Sequence, residues 1–367
     1  MKLDLYFARR FLQSFLLIGA VFLTLIMLVD MIEQIRRFEG LPVSFAQMLQ
    51  LTLLSAPAAI SEILPLLMIL ATIILFVSLA RSSELVVTRA TGRSGLRALA
   101  APVAMAALIG GLAVSTLNPI VAATSNRAQE LSDTYRNGGP SVLSLSGEGL
   151  WLRQGGSFGQ SVIHASGYSG GVDDITLFDV SFLSYAAGGG PVRQIIAERA
   201  HLEGDVWVLT NAKVWPLAAG LNPEKNSKLH DELKVPTTLT QDRIRDSLGR
   251  PVGVSVYNLP ETIRELGAAG FSTKRYEVWY QVELARPLFL MAMVLVGAAF
   301  TMRHVRFGGT GVAVLAAVLL GFSLYFIRNF AQILGENGQL PIIMAAWAPP
   351  IASLLLSLGL LLHAEDG

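Results

Sequence analysis

Few side chains in this chain could do bond chemistry, and they are scattered. Five histidines, His164, His201, His230, His304 and His363, share no spacing that would bring two of them to one metal ion. A nucleotide-binding P-loop needs G-x-x-x-x-G-K-[ST], so that backbone N–H groups and a lysine can cradle phosphates. No such run occurs, and neither does H-E-x-x-H, which would place two imidazoles and a general base on one helix face. There is no cysteine, which excludes disulfides, thiolate catalysis and cysteine metal sites and leaves the compartment unreadable from redox usage. Catalysis within this chain is not expected.

Two constellations remain, and both are charged. The first is the segment Arg81-Ser-Ser-Glu84-Leu85-Val-Val-Thr-Arg89-Ala-Thr-Gly92-Arg93. Ser82 or Ser83 can cap a short helix, and Gly92 can end it in the left-handed conformation. An inert basic loop is one reading. A docking helix for a partner is the other, and the acidic Glu84 among arginines favours it. The second is a set of arginines near the ends of apolar stretches: Arg36, Arg37, Arg127, Arg136 and Arg328. Charges at such depth are costly, and they mark function or pairing. Guanidiniums suit phosphate oxygens, so an anionic amphiphile would find ligands there. Snorkelling and local pairing, for example Arg36 with Glu33 or Arg37 with Glu39, is the competing reading. Asp30 and Glu62 are further candidate partners.

Long apolar segments must position these residues. Of 367 residues 52% are hydrophobic and 15% charged, where an ordinary soluble chain has about 25% charged. No charge occurs between Arg10 and Asp30, Glu62 and Arg81, Arg97 and Arg127, Arg306 and Arg328, or Glu336 and Glu365. Each gap can hold a spanning helix of about 20 residues. The first is too long for a signal-peptide core, and no small-x-small site follows Leu28, so a retained helix is expected. A sixth, weaker span has an uncharged run only from Pro287 to Met302. Its helix is expected to start near Tyr280 and carry Glu283 and Arg286, three apart on one face and able to pair.

Lysines and arginines orient the spans. Lys2, Arg9, Arg10, Arg81, Arg89, Arg93, Arg97, Arg303 and Arg306 fall on one side. Among the short connections, only Arg36 and Arg37 fall on the other. This places both termini in the cytoplasm and the long insert outside it, with Tyr276, Trp279 and Tyr280 as an interfacial aromatic belt.

The insert, residues 121–275, holds 15 Lys/Arg against 16 Asp/Glu, a balance that gives no argument for nucleic acid. It reads as β. In the segment 175–183, alternation puts Phe178, Val180 and Phe182 on one face. The segments 149–153 and 205–209 are further strands, with glycine turns between, and the inward face of the Trp207 strand is ambiguous. A sandwich, jelly roll or open barrel fits this spacing. Glu261 to Leu266 reads as a short helix leading back to the membrane.

The order of three spans, a β-domain and three spans resembles the LptF/LptG permeases of lipopolysaccharide export. The residues that carry the resemblance are Tyr6-Phe-Ala-Arg-Arg10, Ser83-Glu84-Leu85 with Arg89-Ala90-Thr91-Gly92, and Gly149-Leu-Trp-Leu-Arg153. Leu340-Pro341 with Ala345-Ala346-Trp347-Ala348-Pro349 adds to them. Leu266, Gly270-Phe271-Ser272 with Arg275-Tyr276, and the ending His363 to Gly367, are similar to LptG more than to LptF.

The resemblance implies a membrane fold of six transmembrane helices with a jelly-roll-like periplasmic domain between helices 3 and 4. It divides the chain into 1–120 (helices 1–3, with a coupling helix near 82–92), 121–275 (the β-domain) and 276–367 (helices 4–6). It further implies a bacterial inner-membrane location and a heterodimer with an LptF-type permease. Two LptB subunits would hold ATP and Mg, so this chain needs no cofactor, and LptC would receive lipopolysaccharide. Glu84, Leu85, Arg89 and Gly92 become the ATPase-coupling residues, and the five arginines become lipid-phosphate ligands. Alternatives are the LptF-type half of the same complex, a non-transporting scaffold with a β binding module, and an ion- or proton-coupled lipid transporter. The last needs acids deep in the bundle, whereas Asp30, Glu62 and Glu283 lie toward the outer ends.

Overall fold

A computed structural model describes residues 2–82, 84, 95–137, 143–146, 149–156, 159–169, 176–186, 190–217, 222–237, 251–268, 272–302 and 310–366. The chain divides into two units. One comprises Met1–Arg136, Val252–Leu259 and Lys274–Gly367, and the other Asn137–Pro251 and Pro260–Thr273.

The first unit is helical. α1 (Lys2–Arg37) turns through Gly40, whose φ of 82° is open to glycine at no steric cost, into α2 (Phe45–Arg81). A capping box starts α2: Ser44 Oγ accepts from the Gln47 N–H, and Gln47 Oε1 accepts from the Ser44 N–H. α3 (Gly95–Leu112) passes through a π turn at Ala113–Leu117 into α4 (Asn118–Asn137). After the second unit come α6 (Lys274–Thr301), α7 (Thr310–Glu336) and α8 (Ile342–Asp366). Among the described residues six helical segments are long and apolar enough to cross a membrane, the third running Arg97–Ser132 across the π turn.

α6 is the hub and packs against α2, α3, α7 and α8. Small residues bring the backbones close, the usual device where lipid supplies no hydrophobic drive between helices. A Cβ on Gly297 would come 2.9 Å from Thr72 Cβ of α2, and one on Gly110 of α3 2.6 Å from Pro287 Cα of α6. Phe7 and Phe11 of α1 enter the same core beside Leu67, Phe76, Phe289 and Met293. α6 begins six residues before the Tyr280 start expected from its uncharged run. Val278 and Val282 are buried against Ala346 of α8, and this contact recruits the charged first turns into the helix.

The second unit holds seven antiparallel strands: β1 (Leu143–Ser146), β2 (Gly149–Gly156), β3 (Gly159–Ser169), β4 (Thr176–Tyr185), β5 (Pro191–Glu203), β6 (Val206–Pro216) and β7 (Lys228–Pro236). α5 (Leu259–Ala268) follows. The strands lie in one sheet in sequence order. The crossovers of a Greek-key jelly roll are absent among the described strands, which form a meander instead. The sheet lies between α4 and α5 rather than directly after a third helix, because the π turn splits the third span and α4 carries it on to Asn137.

The meander is curled. Ile163, Val180, Phe182, Ile195, Trp207 and Leu209 are almost fully buried on one face, which a flat single sheet cannot achieve. The Oγ1 of Thr237, just past β7, donates to Gln154 Oε1 in β2, so the sheet rolls until its far strands meet. Asp179 and Asn211 sit in the left-handed region, at φ 48° and 53°, and Asn211 Nδ2 donates to Glu198 Oε2 on β5 between them. The Asp179 kink also breaks the expected alternation in β4: Leu177, Val180 and Phe182 are buried, while Phe178 is only half-buried.

Candidate functional site

The Glu84 carboxylate is the meeting point of three side chains. Tyr6 Oη donates to its Oε2 at 2.7 Å, Arg10 Nη1 to its Oε1 at 3.1 Å and Ser82 Oγ to its Oε1 at 2.8 Å. Tyr6 and Arg10 are four apart on α1 and so share a face. The Arg10 guanidinium also lies over the Tyr6 ring, 5.1 Å from its centroid. Burial pulls the Glu84 carboxyl upward, but the hydrogen bonds from Tyr6 and Ser82 and the charge of Arg10 outweigh it and hold the group below its ordinary range. Leu85, Arg89 and Gly92, the other expected coupling residues, lie outside the described residues. Tyr6 and Arg10 were legible only as part of an N-terminal motif, because no local spacing links positions 6 and 84.

The arginines at the other end of the spans are held separately. Arg36 and Arg37 close α1. Arg37 bonds Glu33 at 2.8 Å, one turn back, rather than Glu39, and Arg36 is exposed with no ion pair among the described residues. Arg127 bonds Glu130 at 2.7 Å on α4. Arg136 lies in the last turn of α4, with its side chain outside the described residues. Arg328 stacks over Phe289 of α6, 5.2 Å from the ring centroid. Asp30 and Glu62 form no ion pair with these arginines among the described residues. Asp30 instead accepts a long bond from Gln34, and its Oδ2 is buried without a partner there.

A deeper cluster joins Arg328 to α6 and α2. Glu283 is fully buried, and its Oε1 takes Arg286 Nη2 at 2.5 Å, the pairing their spacing allows. Arg286 Nη1 reaches Ser61 Oγ of α2. Arg328 lies within electrostatic reach of both Arg286 and Glu283. One carboxylate thus bonds one guanidinium and lies within longer electrostatic reach of a second, in a region where charge is expensive.

No other chemistry assembles among the described residues. Among the described residues no three His, Asp or Glu are grouped to hold a metal ion. Two runs match the nucleophile-elbow pattern, Gly155 to Gly159 and Gly167 to Gly171, but the elbow needs a strand-to-helix turn. The first joins β2 to β3 and the second begins within β3, so neither has that context.

Six spanning-length helices among the described residues, packed on an apolar core, with an antiparallel sheet inserted in the chain between α4 and α5, define a multi-pass membrane protein. The family model for the lipopolysaccharide export system permease LptF/LptG matches residues 5–363. The chain belongs to this family. It is 24% identical to the lipopolysaccharide export system permease protein LptG of Haemophilus influenzae, over 95% of this chain and 97% of that protein. It is likewise 24% identical to LptG of Escherichia coli K12, over 85% of this chain and 84% of that one. These relatives are named as permeases of an export system, not as enzymes.

Proposed function

We propose that this chain is the LptG-type half of an ATP-driven extractor of lipopolysaccharide in a Gram-negative inner membrane. It pairs with an LptF-type permease and is driven by two LptB ATPase subunits holding ATP and Mg. Both termini and Glu84 face the cytoplasm, where nine of the eleven flanking Lys/Arg gather. The curled sheet faces the periplasm and passes lipid to LptC, its rolled meander serving as the surface of the conduit. Arg36, Arg37, Arg127, Arg136 and Arg328 meet the lipid phosphates. Glu84, with Leu85, Arg89 and Gly92, docks the ATPase.

The observation that carries this reading is the Glu84 cluster. An acid outside the spans, amid a basic connection, is held charged and oriented at the ends of α1 and α2. That geometry suits a fixed docking point better than an inert loop. The test is Glu84→Arg in the purified complex. The expected result is loss of ATPase association or of stimulated hydrolysis, with transport abolished. A Glu84→Arg complex that assembles, hydrolyses ATP and transports at wild-type rate sinks the coupling assignment. A complex that yields no ATPase and no copurifying lipid supports the scaffold reading instead.

A further inference from the structure

The contacts around Glu84 reach further than docking. We propose that Tyr6 and Arg10 are positioning residues that clamp Glu84 to α1, so that displacement of the segment after α2 is delivered directly to the first span. This rests on the docking role of Glu84 proposed above.

Three observations support it. The bonds cross 78 and 74 residues of sequence, from the first turns of α1 to a residue beyond the end of α2, so they tie two elements and not one loop to itself. The fork is preassembled, because Tyr6 and Arg10 share a helix face and stack on each other, and both present their donors to the two oxygens of one carboxylate. Hydrogen bonds to an ionised carboxylate are about twice as strong as neutral ones.

The third observation is how α1 is held. Phe7 and Phe11, beside the fork, are buried in the core of the helical unit. Farther along, Ile18 is buried and Phe15 and Phe22 pack on the same core, while Leu16, Leu17, Val21, Leu25, Leu28 and Val29 are exposed in this chain. The contacts of α1 with this core thus concentrate in its first half, where Glu84 holds it, and end at Phe22. A small shift at Glu84 enters α1 at its anchored end, and the remainder of the helix can respond without tearing a packed core.

The experiment uses the full permease–ATPase complex in proteoliposomes containing lipopolysaccharide, with Tyr6→Phe, Arg10→Ala and Arg10→Lys variants. Lipid released per ATP hydrolysed is expected to fall about tenfold for Arg10→Ala, which loses a cation and its bond to the carboxylate, and about threefold for Tyr6→Phe, which loses a bond from a neutral donor to the same carboxylate. Arg10→Lys, which keeps the cation, is expected to recover most of the loss. Because the chain has no cysteine, spin labels at Leu5→Cys and Arg81→Cys report the spacing of the two helix ends. Their distance distribution is expected to broaden in Arg10→Ala with or without the ATPase present. Wild-type lipid release per ATP in both Arg10→Ala and Tyr6→Phe, or an Arg10→Ala distribution identical to wild type, overturns the clamp. The docking role fails separately, through an intact Glu84→Arg complex, so the two failures are distinguishable.

Discussion

Glu283 and Arg286 show how a buried charge pair constrains substitution. Removing only Arg286 leaves a fully buried carboxylate with nothing but the more distant Arg328 to offset it. Arg286→Ala is therefore expected to destabilise the protein by about 3 kcal/mol. The double change Glu283→Leu with Arg286→Met removes the bonded pair but leaves the Arg328 guanidinium without its nearby carboxylate, so it should recover part of that loss in a thermal unfolding series in detergent. Equal melting of the single and double variants would show that the pair carries no such strain. At the sheet surface, Glu224 behaves differently. Hydrogen bonds from Lys213 and Trp215 hold its carboxyl below the ordinary range. A lowered folded value means that the bonds stabilise the 222–227 turn above the ordinary carboxylate range and are lost as pH falls through the folded value. Protease cleavage at this turn should rise on acidification in the wild type, while Glu224→Gln should be cut readily at neutral pH too, with a weaker pH response. Residue identity alone made the Glu283–Arg286 pairing legible, because three positions on a helix fix it. The reach of Tyr6 to Glu84 was not legible, because it depends on where two helix ends fall in space.

Backbone proximity sets the limits on the helices. Gly297 of α6 lies so close to Thr72 and the Ile69 carbonyl of α2 that any side chain must move one helix. Gly297→Val is expected to cost about 1–3 kcal/mol through overpacking. It should lower the yield of folded protein, whereas Gly111→Val, with open space around that position, should not. The spans and the β character of the insert could be read from charge gaps and alternation. Two features resisted that reading for the same reason, that a neighbour overrides the local pattern. α6 starts at Lys274 because α8 covers Val278 and Val282. The inward set of β4 changes phase at Asp179 because one left-handed residue flips the strand. Strand order was beyond the pattern altogether, since the same short strands serve a meander or a jelly roll.

For the whole molecule, orientation is the quantity to measure. The absence of native cysteine makes single labels unambiguous. Leu229→Cys on exposed β7 should react with a membrane-impermeant maleimide from the periplasmic side, and Leu5→Cys on α1 only after the inner membrane is opened. The reverse pattern would invert the proposed topology. The π turn in the third span carries a consequence for this arrangement. A π turn holds one residue more than an α turn, so everything after it falls about 100° of rotation behind where an unbroken α-helix of the same sequence would put it. The face of α4 that carries Asn118 and Asn126 owes its direction to this phase step. There Asn118 Oδ1 accepts from the Val256 N–H, Asn126 donates to the Gly253 carbonyl, and the Tyr257 phenol takes the Ser115 carbonyl inside the turn. Forcing 113–117 into ordinary α geometry with its five residues kept would leave the composition of the span unchanged. It would also swing both asparagines away from the returning strand of chain, so the span would keep its length and lose its address.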